Sequence, residues 1–148
     1  MTCLILNGCG LVAGTIQLLK AMNKLLLDTS ILVDYLRNKS PAVDYVEATA
    51  DQHLLSAVVV AELYGGVRSG TERAQLDALI AAYPVLPVTE RIAVAGGLLW
   101  RQYRPSHGVG LADALLAAMA LAEGATLVIL NHKHFPMLPD VIIPYPKS

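Results

Sequence analysis

Charge is what this chain has least of. Only 16% of its 148 residues are charged, and 11 basic side chains set against 12 acidic ones leave a formal net charge of -1. No basic field exists to hold nucleic acid by charge alone, so a polyanionic ligand would need local basic groups or metal ions. Cysteine is nearly as scarce. Cys3 and Cys9 both fall in the first ten residues and cannot cross-link the main body, so a reducing cytoplasm is the expected compartment. Repeats, low-complexity tracts and interdomain linkers are missing as well. What remains is a chain with 55% hydrophobic residues, long enough for one domain with a sizeable core and too short for two ordinary ones.

The N-terminal stretch "MTCLILNGCGLVAGTIQLLKAMNK" is apolar from Leu4 to Leu19 but lacks the basic opening of a secretory signal. It is also short for a membrane span, which takes about 20 residues. Met22 stands directly before a clean strand start, so residues 1 to 21 are read as an extension outside the fold and residues 22 to 148 as the domain. An extra docked element and a signal anchor are the other readings of that segment.

From Met22 onward, short apolar runs alternate with segments of helical period, the pattern of an α/β domain with a parallel sheet. Strands are expected at 24 to 28, 53 to 56, in "PVLPV", in "TLVIL" and in "VIIPYP". The proline inside "PVLPV" marks it as an edge. Helices are expected at 30 to 37, at 41 to 50 behind a Ser40 cap, and from Ser56 through Glu62. Three more follow: "GTERAQLDALIAAY", Thr89 to about Arg104, and the almost wholly apolar "LADALLAAMALAEG", which should be buried and end at Gly124. Gly96 and Gly97 suggest close packing or a bend.

Against this background the acids are conspicuous. Asp28 ends the first strand and Asn131 ends "TLVIL", and ligands bind at the carboxyl ends of strands in open parallel sheets. Asp113 stands in the first turn of the buried helix. Glu62 sits in "SAVVVAELYGG" with no lysine or arginine within a helical turn, although an unpaired buried carboxylate costs several kcal/mol. Each has a plainer use: Asp28 as a helix cap, Asp113 as a dipole partner, Asn131 as a turn residue, and Glu62 as an acid on an exposed face. If the four converge, their mutual repulsion calls for a hard divalent cation, Mg²⁺ with Mn²⁺ as a substitute. Asp34 is placed on the exposed side of its helix, and Arg68, Glu72 and Arg73 at the surface. His132 and His134 are two residues apart, a poor spacing for one metal on a helix, in a segment that Phe135 should anchor as a turn.

These stretches together resemble a known family, the PIN domains, and most closely the toxin nucleases of VapBC toxin/antitoxin modules, over about residues 23 to 146. "LLLDTSILVDYLR" is similar to the opening motif, with its metal-binding aspartate at Asp28. "LSAVVVAELYGGV" is similar to the second, with its glutamate at Glu62, and "GLADALLAAMALAEGATLVILNHKHF" to the third and fourth, at Asp113 and Asn131. The resemblance implies a single PIN-like domain, its central parallel sheet flanked by helices and an acidic pocket at the carboxyl ends of the strands. It also implies a Mg²⁺-dependent endoribonuclease, usually a homodimer, held inactive by a cognate antitoxin protein that reaches into the pocket with a basic side chain. No membrane enters this picture. Two departures bear on the metal: Ile129 replaces a common threonine or serine, and Asn131 is neutral, which argues against a tightly held second ion.

In the mechanism this suggests, Asp28 and Asp113 hold the metal, Glu62 binds through or orients a water, and Asn131 completes the shell by hydrogen bonding. Arg101, Arg104, His107 and Lys133 are candidates for placing the RNA, with a solvated face as the alternative. Trp100 and Tyr103 read as core or dimer contacts, and a homodimer through apolar faces such as "LDALIAAY" is expected. A receiver domain would carry paired acids after its first strand, and a haloacid-dehalogenase phosphatase a second aspartate where Ser30 stands. A non-catalytic PIN-fold module that uses the groove for a protein partner is the remaining alternative.

Overall fold

The computed structural model describes residues 24–148. The expected extension at residues 1 to 21 and both cysteines lie outside the described residues. Five parallel strands form one sheet in the order β3-β2-β1-β4-β5: β1 (Leu25–Leu27), β2 (His53–Ser56), β3 (Val85–Leu86), β4 (Thr126–Val128) and β5 (Val141–Ile142). β1 lies at the centre, pairing Leu25 with His53 on one side and with Thr126 on the other. Its three leucines are buried, as a strand covered on both faces requires. "PVLPV" does supply an edge strand, and only Val85 and Leu86 of it pair.

Six helices cover this sheet among the described residues: α1 (Thr29–Leu36), α2 (Ser40–Ala48), α3 (Ala57–Gly65), α4 (Gly70–Ala81), α5 (Glu90–His107) and α6 (Leu111–Glu123). Local chemistry sets most of their ends. Ser56, Ser69 and Thr89 accept from the backbone N–H groups of Val58, Glu72 and Ile92, each satisfying a donor that the first turn leaves free. Gly108 and Gly124 close α5 and α6 at φ 63° and 61°, where a side chain would be strained. Ser40 does not act as the expected cap, because α2 begins one residue earlier, with Lys39 in the N-cap position. α5 passes Arg104 and runs through Pro105 to His107, since proline removes one N–H while Gly108 N still donates to Arg104 O at 3.0 Å.

Two surface expectations are overturned by tertiary contacts. Asp34 is only 8% exposed, because Lys39 Nζ stands 2.8 Å away and Tyr145 from the C-terminal segment donates its hydroxyl at 3.3 Å. The "LDALIAAY" face turns inward, with Leu76 and Leu79 buried in the core. The most exposed large apolar side chains among the described residues are instead Val94 and Leu98 on α5 and Leu121 on α6. Arg68, Glu72 and Arg73 are surface residues as expected, tied into i,i+4 pairs by Glu72 and Asp77.

Candidate active site

The sheet order places a topological switch between β1 and β4: the chain moves to one side of β1 for β2 and β3, then to the other for β4 and β5. The crevice outside the carboxyl ends of those two strands is where such sheets bind ligands. Asp28 stands there, its backbone N–H donating to Val128 O at 3.0 Å. It occupies the N-cap position of α1, yet its side chain makes no capping bond. Its carboxylate instead accepts from the Ser30 hydroxyl at 3.0 Å. Burial pushes this carboxyl above the usual carboxylate range. Hydrogen bonds from Ser30 and the Thr29 backbone pull it back, while the charges of Asp113 and Glu62 push it further up.

Glu62 comes to the same edge from α3, and the hydroxyl of Thr29, next to Asp28 in the chain, donates to its carboxylate. It is exposed, so the apolar run around it buries Val59 and Leu63 while the face bearing the acid stays open. A cleft of about 380 Å³ opens beside it, lined also by Val33, Leu36, Arg37, Arg68 and Glu72; Asp28 and Asp113 lie outside that cleft. Asp113 is held in the first turn of α6, whose Ala114 and Leu116–Ala120 stretch is buried and fixes the helix against the sheet. Its Oδ2 stands 3.1 Å from His134 Nδ1.

Asn131 follows β4, but its amide oxygen is used within its own turn, accepting from Lys133 N at 3.2 Å. That bond opens the 3₁₀ turn His132–His134, which Phe135 anchors in the core at 2% exposure, as expected. Thus it is His134, three residues beyond Asn131, that touches an acid of the site. Sequence reasoning passed over His134, Thr29 and Ser30. The one available signal was position: two hydroxyls directly after Asp28, and a histidine one turn beyond a strand end.

Among the described residues no three His, Cys, Asp or Glu side chains stand close enough to form a ready-made metal cage. The three acids are nonetheless near enough for their charges to bear on Asp28, and no lysine or arginine forms an ion pair with any of them among the described residues. A half-buried carboxylate facing two like charges and paired with no cation is a donor set that suits a hard divalent ion. The candidate RNA-placing residues Arg101, Arg104, His107 and Lys133 are all exposed. The Arg104 guanidinium lies 4.4 Å over the half-buried Trp100 ring, and His107 meets Tyr103 edge-on at 5.9 Å.

Comparison with known proteins agrees with this fold. The PIN domain family matches residues 25–139. The "Ribonuclease VapC19" of Mycobacterium tuberculosis is 41% identical over 124 residues, covering 81% of this chain and 98% of that protein. "Ribonuclease VapC10" of the same organism is 40% identical, covering 82% and 92%. Among solved structures, that of VapBC2 from Rickettsia felis bound to a DNA fragment from its promoter superposes with a TM-score of 0.65 at 28% identity, covering 80% of this chain and 95% of that one. With Asp28, Glu62 and Asp113 gathered at the switch point of a five-stranded parallel sheet, the chain belongs to the PIN-domain family, among relatives of the VapC type.

Proposed function

We propose that the protein is a divalent-metal-dependent endoribonuclease, the toxin of a VapBC-type toxin/antitoxin pair. The observation that carries this reading is Asp28: half-buried at the switch point, not used as a cap, and facing the charges of Asp113 and Glu62 with no lysine or arginine paired to them among the described residues. Similarity to proteins named as VapC ribonucleases at about 40% identity supplies the reaction and substrate class. Asp28 and Asp113 would hold the ion, Mg²⁺ with Mn²⁺ as a substitute. Bound there, it would supply a water of lowered pKa and neutralise charge developing on the phosphate. Glu62, held by Thr29 and open to solvent, orients a water for attack, and Asn131 stabilises the turn that borders the pocket.

RNA placement falls to the exposed basic groups at the end of α5, which leads through Gly108–Gly110 directly into the helix bearing Asp113. The cleft beside Glu62, apolar at Val33 and Leu36 and rimmed by Arg37, Arg68 and Glu72, suits a segment of a cognate antitoxin. Its occupant would lie against Glu62 and so against the active site.

The test combines cleavage and melting. RNA should be cut with Mg²⁺ and spared with EDTA, and Asp28→Asn should lower cleavage by about 100-fold or more. The Asp28 side chain makes no capping bond, so the amide of the same shape removes charge without removing a cap. Because the folded-state pKa of Asp28 is raised, its charge destabilises the fold as pH rises past the ordinary carboxylate value. In EDTA at neutral pH the variant should therefore melt at or above the parent. Cleavage indifferent to chelator, or an early-melting Asp28→Asn, would overturn the metal mechanism.

A further inference from the structure

We propose that His134 is a positioning residue, fixing the Asp113 carboxylate so that its second oxygen is presented to a divalent cation; the inference rests on the metal-dependent reading above. An ionised carboxylate can only accept, so the 3.1 Å contact requires Nδ1 to carry the hydrogen and donate to Oδ2. That bond removes one lone-pair direction and the rotation of the carboxylate, leaving Oδ1 for the ion. Outer hydrogen bonds of this kind orient metal-ligating carboxylates.

Three further observations separate this contact from an incidental surface pair. First, the imidazole is delivered by a turn that is fixed without it. Asn131 Oδ1 accepts from Lys133 N at 3.2 Å, Phe135 N donates to His132 O at 3.0 Å, and the Phe135 and Leu138 side chains are buried. Second, the pair contributes little as a stabilising bridge, because the His134 side chain is 53% exposed and that of Asp113 26%, and open pairs of this sort are weak. Third, the other two acids are treated alike: Ser30 donates to Asp28 and Thr29 to Glu62. Each carboxylate of the site thus has one side-chain donor among the described residues, supplied by a residue other than lysine or arginine. His134 is the member of this set that comes from outside the segment Asp28–Ser30, and it links the turn after β4 to the first turn of α6.

The experiment is calorimetric titration of the full chain with Mn²⁺, without RNA, for the parent, His134→Ala and His134→Asn, together with melting in EDTA. Asparagine places an amide nitrogen close to where Nδ1 stands and can make the same bond. His134→Ala should bind Mn²⁺ about 10- to 100-fold more weakly, His134→Asn should recover most of the loss, and all three should melt within a few degrees of one another. Parent-like Mn²⁺ binding by His134→Ala overturns the proposal while leaving the metal mechanism standing. Weakened binding in both variants overturns it too, because then the hydrogen bond is not what matters, whether or not the fold also melts early. A parent that binds no Mn²⁺ removes the metal-dependent reading itself, and this inference with it.

Discussion

Among the described residues Asp34 and His53 are the buried acid and the buried imidazole, and neither belongs to the site. His53, at the opposite end of β2 from Ser56, is 3% exposed and packs its ring against Tyr83 at 5.3 Å. Thr49 spends its single hydroxyl hydrogen on Tyr45 O at 2.8 Å, so the 2.7 Å contact with His53 must be donated by Nε2. Nδ1 is then a bare acceptor, buried and without a partner among the described residues. Burial lowers the imidazole from the ordinary histidine value to about 4, with the charge of Asp51 opposing that shift. Between about 6.5 and 4 the unfolded chain therefore binds the proton that the folded chain refuses. The stability His53 permits is complete above that window and lost as pH falls through it, at up to about 1.4 kcal/mol per pH unit. Melting curves at pH 7 and pH 5 should show the parent losing several degrees more than His53→Leu. An equal loss in both would place the acid sensitivity elsewhere.

At the scale of elements, the helices meet through contacts that one methyl group can test. A Cβ added at Gly96 of α5 would stand 2.6 Å from Leu115 Cδ2 and 3.1 Å from its Cα, whereas one added at Gly97 meets nothing within 4 Å. Gly96→Ala should push α5 off α6 and destabilise by about 1–3 kcal/mol, while Gly97→Ala should stabilise by roughly 0.5–1 kcal/mol through helix propensity alone. Denaturant titration of the two single variants reads both signs, and a shared sign would contradict the packing. The sequence announced a glycine pair but could not say which member faced the neighbour, because that depends on the rotation of α5. The same limit explains the rest of what was and was not legible. Strand β2, the Ser56 and Thr89 caps and the Gly124 terminator follow from residues within a few positions of each other, and all stand where expected. Asp34 looked exposed because one of the two residues that cover it, Tyr145, lies 111 positions away. His134 looked like a turn residue because its partner Asp113 is 21 positions off, on another element. Asp28 and Asp113 were legible since they sit at a strand end and a helix start, where parallel sheets carry their chemistry, and Glu62 because it interrupts an apolar run; their donors were not.

For the whole molecule the question is which surface is too apolar to be left to water. α4 spends its leucines on the core, so the face first suspected of dimerising is already covered. α5 and α6 instead expose Val94 at 58%, Leu98 at 58% and Leu121 at 54%, and Leu98 and Leu121 border a depression of about 390 Å³ lined also with Ala95, Leu99, Ala118 and Ala122. Small residues in the hollow and large ones on its rim are self-complementary when a second copy is turned about a two-fold axis, since each rim leucine can enter the other's hollow. Arg91 and Gln102 border the same depression, which keeps the charge on this face low. A homodimer through α5 and α6 is the expected assembly, consistent with patches of this kind marking interfaces. Sedimentation at micromolar concentration should give a dimer for the parent and a monomer for Leu98→Glu, with the monomer melting close to the parent once protein concentration is matched at high dilution. A parent that sediments only as a monomer would count against the interface. The consequence reaches the active site, because α6 carries Leu121 near one end and Asp113 in its first turn, while α5 carries Leu98 and the basic residues Arg101 and Arg104 one and two turns further on. An interface built on these two helices would hold both the acids and the RNA-placing groups on clamped elements, and Leu98→Glu should then weaken RNA cleavage even though it touches none of the three carboxylates.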